Sequence, residues 1–350
     1  MTAVGAIEFR RVYFACSVCK SGRYAADARL GIDGFLTLEA RRLVCLAGGQ
    51  RSFENAELLL KELCGWRVSD ERIRQACHAE AERIADWRAG GAPAVAEAFR
   101  AAEGEPEFQT DATKVNTTSG WKDLKIGLFA KRPPGPSVGP DEWEQRDLPK
   151  PTARVAFAAI EEIGEFAPRW GEWAQRLGLT SFEGLSVIGD GAEWIWNAAE
   201  WQFPQHRGAL DIFHACERLG AAAKELFGEG TEAARTRREA GRRALLGDGW
   251  YGLTEFVAPT RATPLTEAGR TALDGMLAYF AKHTERLNYC LRLKQGRAIG
   301  SGQIEGACKN MIGRRMKPSG ARWTVPNANR MAELCSLSYS AQWGDYWTAA

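Results

Sequence analysis

Three acidic residues lie in sequence contexts that suit metal ligands: Asp111, Asp190 and Glu305. Asp111 is inside FQTDATKV, a strand-like stretch in which aspartate is disfavoured. Asp190 follows the apolar run LSVI and precedes a helical pattern, which predicts a place at the carboxyl end of a buried strand, where α/β sheets bind ligands. Carboxylates on separate elements are what a two-metal phosphodiester site requires, with two Mg²⁺ or Mn²⁺ ions ~3.5–4 Å apart. These residues therefore predict metal-dependent cleavage of phosphodiesters.

Each of these acids also has a purely structural interpretation. Asp111 would be an exposed residue on an edge strand, and Asp190 would be the N-cap of the helix that follows it. Glu305 would pair with Lys309 at i,i+4, an interaction worth only ~0.2–0.5 kcal/mol. The residues alone leave both interpretations open.

The segment around Glu305 predicts a helix in a basic environment. Its apolar residues recur at helical spacing after Ser301, a natural N-cap; they are Ile304, Ala307, Cys308, Met311 and Ile312. Between Cys290 and Met331, nine Lys or Arg residues accompany a single acid, Glu305, whereas surface helices normally mix both signs. The whole chain of 350 residues carries a formal charge of only +2, so any basic surface is local.

The elements that must position these acids form an α+β pattern. Residues 31–90 are predicted to be helical, and a helix that starts after Ser69 completes either a helix-turn-helix or an ordinary helical pair. A β-hairpin begins near residue 104, RVAFAAI predicts a third strand after the proline-rich stretch 132–151, and further strands are expected near 185–188 and 209–212. Residues 214–292 are mostly helical. The order favours a mixed sheet flanked by helices.

Composition points to an intracellular protein. The cysteines number nine, which is odd, and they are scattered apart from Cys16 and Cys19, as expected for reduced thiols. No secretory signal and no run of the ~18 apolar residues that a membrane span needs is present in the sequence. We therefore expect a soluble cytoplasmic protein that contacts no membrane.

Four segments resemble successive signature blocks of a bacterial insertion-sequence transposase family, the ISKra type, within the DDE superfamily. The blocks are TDATKVNTTSGWKDLKIGLF, VIGDGAEWIWNAAEWQFP, LDIFHACERL and AIGSGQIEGACKNMIGRRMKPSGARWT. The resemblance implies a ribonuclease-H-like catalytic domain at 104–350 with a helical insertion at about 215–292, preceded by a helical, helix-turn-helix-like domain at 31–103. It also implies that Asp111, Asp190 and Glu305 are the catalytic triad that binds two Mg²⁺ or Mn²⁺ ions.

The third block implies two further site residues. Asp211 and His214 match the Asp-x-x-His element that follows the second acid in Mutator-like and related transposases. In a helix these side chains share a face at i,i+3. The resemblance places His214 beside the scissile phosphate or a flanking nucleotide, whereas a lone histidine is more often a core residue.

The amino end departs from the family pattern. Members carry two Cys pairs that form a zinc ribbon, and residues 1–30 hold one pair, Cys16 and Cys19. Two thiolates are fewer than the four ligands of structural zinc, so either Cys45 or His78 completes the site or the segment is the remnant of a truncated ribbon. We expect truncation, and little zinc in the purified chain.

The expected activity is transposition of DNA. The substrate would be double-stranded DNA, which the protein would cleave at the ends of an insertion sequence and join to target DNA. We expect a homodimer bound to the DNA in the bacterial nucleoid. Phosphate contacts are expected from five residues: Lys309, Arg314, Arg315, Lys317 and Arg322. The alternatives are a catalytically idle DNA-binding protein, truncated or domesticated, and a nuclease that cuts without joining.

Overall fold

A computed structural model describes residues 1–318 and 320–350. The first hundred residues combine small hairpins with helices, namely β1 (Tyr13–Ala15), β2 (Gly22–Tyr24), α1 (Ala25–Leu30), β3 (Ile32–Asp33), β4 (Leu36–Thr37), α2 (Leu38–Gln50), α3 (Phe53–Cys64), α4 (Asp70–Ala89) and α5 (Pro93–Ala101). Gly65, at a φ of 66°, ends α3, and Ser69 caps α4 by accepting from the backbone N–H of Arg72. The predicted pair of helices is therefore present.

Residues 105–210, all described, contain a five-stranded mixed sheet with its connecting helices. The elements are β5 (Glu105–Thr117), β6 (Gly120–Arg132), β7 (Ala153–Ala159), α6 (Ile163–Phe166), α7 (Pro168–Arg176), β8 (Ser186–Gly189), α8 (Glu193–Gln202) and β9 (Arg207–Leu210). The strand order is β7-β6-β5-β8-β9, in which β5, β6 and β7 are antiparallel and β8 and β9 run parallel to β5. The predicted hairpin, third strand and mixed sheet are confirmed.

The elements after β9 are all helical, which confirms the helices predicted for residues 214–292 and for the segment around Glu305. They are α9 (Ile212–Phe227), α10 (Glu232–Arg261), α11 (Glu267–Ala281), a 3-10 turn (Thr284–Arg286), α12 (Tyr289–Lys294), α13 (Gly302–Ala307), a π-helical turn (Cys308–Gly313), α14 (Arg314–Met316), α15 (Val325–Tyr339) and α16 (Trp343–Ala349). Helix α10 is kinked at Asp248 and Gly249. Among the described residues no helix has the length and hydrophobicity that crossing a bilayer requires.

Both faces of the sheet are covered by helices. Alternate residues of a strand point to opposite faces, so each strand contributes to two cores. On β7, Ala156 and Ala158 belong to a core shared with α2–α4, α13 and α15. Val155 and Phe157 belong to a second core formed with α5–α8. A third core joins α9 to α12. The sheet is thus a rigid support for the residues at the ends of its strands.

Helices α2–α4 are joined to the carboxyl-terminal helix α15 by polar contacts as well as by the shared core. Arg88 on α4 is buried, and its Nη1 donates to Glu333 Oε1 (2.7 Å) and to Ser336 Oγ (2.8 Å) on α15. Residues 38–89 therefore fold against the end of the chain. Their role as a DNA-binding domain stays a prediction.

The close packing of α2 on α4 can be tested at Gly48. A Cβ there would lie 2.5 Å from Cys77 Sγ and 2.9 Å from Ile73 Cγ2, so we expect Gly48→Val to lower the free energy of unfolding by ~1–3 kcal/mol through overpacking. The matched control Gly275→Val, on an exposed turn of α11 with open space around it, should change it by less than ~0.5 kcal/mol. Urea denaturation measures both values, and equal effects would contradict the packing.

Candidate active site at the carboxyl end of the parallel strands

Three aspartates lie in a row at the edge of the sheet where its parallel strands end. Asp111 and Asp190 each lie two residues beyond the last paired residues of β5 and β8. Asp190 and Asp211 each lie one residue beyond the last paired residues of β8 and β9. Neighbouring strands are ~4.8 Å apart, so the backbone brings these three residues together although they are distant in sequence.

Asp111 lies on the central strand and is half-buried. The interpretation of an exposed aspartate on an edge strand is therefore wrong. Its Oδ1 accepts from the backbone N–H of Ala112 (2.7 Å), and its Oδ2 is 3.7 Å from Cys308 Sγ. Burial raises the pKa of Asp111, and the negative charge of Asp190 raises it further.

Asp190 precedes α8 without being its N-cap, which is Ala192. Its Oδ1 accepts from the backbone N–H of Ala192 (2.9 Å), and its main-chain oxygen accepts from Trp196 Nε1 (2.7 Å). These bonds fix the turn after β8. The side chain lines an open cleft of about 440 Å³ together with His214 and Arg218 of α9 and Tyr279 of α11.

Asp211 and His214 form a pair at the start of α9, as predicted. Asp211 is fully buried and is the N-cap, because its Oδ1 accepts from the backbone N–H of His214 (2.8 Å) and lies 3.0 Å from His214 Nδ1. The hydrogen bond from the ring to this carboxylate raises the pKa of His214 to about 9. A protonated imidazole therefore faces the same cleft as Asp190 at neutral pH.

Glu305 is half-buried on α13, which is fixed to β5 because the backbone N–H of Ile304 donates to Gln109 Oε1 (3.1 Å). Ser301 occupies the N-cap position, yet its side chain forms no capping bond and its backbone N–H donates to Asp211 instead. The π-helical turn that follows from Cys308 is a feature often found at functional sites.

The thiol of Cys308 lies near two of the predicted metal ligands, Asp111 on β5 and Glu305 on α13. Burial, followed by the charges of Asp111 and Glu305, contributes to raising its pKa to about 12. Within residues 1–318 and 320–350, no three His, Cys, Asp or Glu side chains are close enough together to hold a metal ion. The ends of β5 and β8 bring Asp111 and Asp190 together. The role of Glu305 as the third ligand stays a prediction.

Four of the five predicted phosphate contacts are exposed: Lys309, Arg314, Lys317 and Arg322. Lys317 Nζ donates to Thr113 Oγ1, two residues beyond Asp111 on β5, and Arg322 Nε donates to the main-chain oxygen of Thr117 (3.4 Å). These contacts place both cations along β5, on the strand that carries the first acid.

Arg315 differs from the prediction. Its side chain is only 4% exposed, its Nε donates to the main-chain oxygen of Gly48 (2.6 Å), and its guanidinium lies over the rings of Phe53 and Trp323. A buried guanidinium stacked between aromatic rings stabilises the packing of α14 on α2 and α3. This arginine is therefore placed in the core, whereas the other four residues are exposed.

Cys16 and Cys19 lie in the turn of the β1–β2 hairpin, where both are exposed. The backbone N–H of Cys19 points to Cys16 Sγ (3.5 Å), and a hydrogen bond to Ser21 lowers the pKa of Cys19 to about 7. Cys45 is buried in α2, and His78 lies in α4 near Arg74. Neither residue joins the hairpin cysteines in a group of three within the described chain.

The cleft contains residues that sequence reasoning missed. Arg218 follows His214 at i+4 on α9, so the helical period could have identified it. Its guanidinium lies over the ring of Tyr279 at 4.8 Å, but Tyr279 is on α11, and no local pattern links it to Asp190. No protein-family model matches the chain, and no match was found among curated proteins.

The Asp211–His214 pair predicts a specific pH dependence. Because the folded pKa of His214 is raised from 6.5 to about 9, the stabilisation is complete below pH 6.5 and is lost as pH rises through about 9. We therefore expect the difference in free energy of unfolding between the natural chain and His214→Gln to shrink over this interval. Urea titrations across the interval measure it.

His206→Gln is the matched control. Burial lowers the pKa of His206, so the effect of this substitution should stay constant once the histidine of the unfolded chain has lost its proton, above about pH 7.5. A His214→Gln difference that is equally constant would show that the imidazole is not held as a cation.

Proposed function

We propose that this chain is a DNA transposase that cleaves phosphodiester bonds at the ends of an insertion sequence and joins the freed 3′-hydroxyl to target DNA. One observation carries the proposal: Asp111 and Asp190 lie side by side at the ends of parallel strands, in a site that also holds a cationic His214. The order of the strands, an antiparallel meander extended by two parallel strands on the side of β5, is compatible with a ribonuclease-H-like domain.

The donor set fits divalent cations. Carboxylate oxygens are the hard ligands that Mg²⁺ and Mn²⁺ prefer, and the repulsion between Asp111 and Asp190 is the kind of strain that a shared cation relieves. We assign Asp111, Asp190 and Glu305 as ligands of two such ions. When bound, the ions supply activation of the attacking oxygen and stabilisation of the leaving oxygen.

The other residues of the cleft bind and orient the phosphate. Asp211 holds the His214 ring with its cationic form favoured, and this charge attracts a phosphate oxygen. Arg218 adds a second positive charge at the same cleft. A histidine with a raised pKa is a poor base at neutral pH, so His214 acts by its positive charge. Arg218 acts in the same way, and both side chains position the phosphate electrostatically.

The exposed cations beside β5 extend the proposed contact with DNA. Lys309, Arg314, Lys317 and Arg322 would bind phosphates of double-stranded DNA, and transposition joins two ends, which favours a homodimer on the DNA. The bacterial nucleoid is the proposed place of action.

Asp190→Asn separates catalysis from structure. The amide keeps the shape of the side chain and can still accept from Ala192, but it removes the charge that binds a divalent ion. We expect Mg²⁺-dependent nicking of a supercoiled plasmid that carries the gene with its flanking DNA to fall by at least about a hundredfold, since even outer-shell partners of metals cost 10–100-fold. Binding to the same DNA, measured by gel shift, should stay nearly unchanged.

Asp274→Asn serves as the matched control, because Asp274 is an exposed residue of α11 that pairs with Arg261. Nicking by this variant should equal that of the natural chain. If Asp190→Asn nicks at the natural rate, or if the natural chain binds the plasmid without nicking it, the transposase proposal gives way to a non-catalytic DNA-binding protein.

Neutralising the exposed cations should weaken DNA binding in a salt-dependent way. Lys309→Gln and Arg314→Gln are each expected to lower affinity for any duplex and to reduce the slope of log affinity against log salt by about 1. Fluorescence anisotropy at several salt concentrations gives both quantities. Arg235→Gln, at an exposed arginine on α10 that pairs with Glu232, is the control, and an equal change in this variant would remove the assigned surface.

A further inference from the structure

A second groove lies beside the first turn of α9. Successive residues of a helix point about 100° apart, so His214 faces the candidate active site while Phe213 faces this groove. The groove measures about 650 Å³, and we call it the arginine groove after the residues that characterise it: Arg132, Arg146, Arg154, Trp143, Phe213 and Tyr339.

Two buried donors in the arginine groove lack partners. Trp143 is only 8% exposed, and within the described residues neither its Nε1 nor Arg146 Nη1 has a hydrogen-bond acceptor. Leaving a buried donor unpaired is costly, at about 1–3 kcal/mol. Because both groups are donors, a ligand that satisfies them must present acceptor oxygens.

The charges of the groove favour an anion. Its three guanidinium groups face one lining carboxylate, Glu144, which already pairs with Arg242 on α10. Arg132 is partly neutralised by Glu107 at 3.4 Å. Arg154 lies over the ring of Tyr339 at 4.8 Å, and Arg146 Nη2 donates to the main-chain oxygen of Arg297 (2.8 Å). Neither contact neutralises the positive charge of these two side chains.

An aromatic surface accompanies these charges. Phe213 is 52% exposed, although it is a large apolar side chain, and its ring packs at 5.7 Å on that of Trp143. Exposed aromatic rings beside cations are the arrangement that binds single-stranded nucleic acid, because bases stack on the rings while the cations follow the backbone. A lone phosphate would leave the face of Phe213 unused.

The arginine groove and the candidate active site are linked through the start of α13. Gly300 and Gly302 line the groove, and Ser301 between them donates to Asp211, the partner of His214. Glu305 follows on the same short helix. The groove therefore neighbours the residues of the candidate active site.

We propose that the arginine groove binds a single-stranded segment of DNA, and this inference rests on the proposed transposase function. The unpaired end of a DNA strand next to the cleavage point would stack a base on Phe213 and place phosphates at Arg146 and Arg154. The groove would thereby hold the strand in position relative to Asp111 and Asp190.

The test measures binding of a fluorescein-labelled oligothymidylate of about twelve nucleotides by fluorescence anisotropy, in EDTA so that no cleavage occurs. We expect Phe213→Ala to weaken binding at least about fivefold, the lower end of what stacking one base on an aromatic ring contributes. Phe213→Tyr, which keeps the ring, should bind like the natural chain. Trp201→Ala removes an aromatic ring that is 73% exposed and lies outside the groove, and it should have no effect.

Photocrosslinking with 5-iodouracil in the same oligonucleotide locates the contact. We expect crosslinked peptides to contain Phe213 or Trp143. Three results would overturn the proposal. The first is equal binding by Phe213→Ala and Trp201→Ala, and the second is crosslinks confined to other segments. The third is displacement of the labelled oligonucleotide by polyglutamate as effectively as by unlabelled oligonucleotide. Since these measurements need no cleavage, failure of the Asp190→Asn nicking test would leave their outcome readable.

Discussion

The parallel pairing of β5, β8 and β9 sets three aspartates side by side, and this placement governs the surrounding structure. Burial raises the pKa of Asp111, and repulsion from Asp190 raises it further. Backbone N–H groups stabilise both carboxylates, and Asp211 is neutralised by its own partner, His214. Like charges held close together cost free energy, and this cost is the basis of the proposed cation site.

The helices around the sheet hold the residues of this site in place. Gly191, next to Asp190, approaches helix α11 so closely that a Cβ would lie 2.2 Å from the Tyr279 hydroxyl. Only glycine permits this approach without displacing the tyrosine. On the other side, Gln109 fixes α13 to β5. Helix α11 therefore packs beside the end of β8, and α13 is attached to β5.

Local patterns in the sequence predicted much of this arrangement. Alternating apolar residues identified β5 and β6, and an apolar run that ends at Gly189 placed Asp190 at the end of a strand. Long-range packing was beyond such patterns. The burial of Arg315 between Phe53 and Trp323 depends on residues more than 200 positions apart. The contact of Arg218 with Tyr279 depends on how α11 packs against α9. The side chain of Ser301 forms no capping bond, and its backbone N–H donates to Asp211, a contact over 90 positions that no local pattern predicts.

The central claim is that Asp111 and Asp190 share a divalent cation. The most direct test is a crystal structure of the chain grown with Mn²⁺, with anomalous diffraction recorded at the manganese absorption edge. We predict a strong anomalous peak within bonding distance of both carboxylates, at about 2.0–2.3 Å for hard oxygen ligands. Saturating Mn²⁺ with no peak between these two side chains, or with a peak only elsewhere, would contradict it.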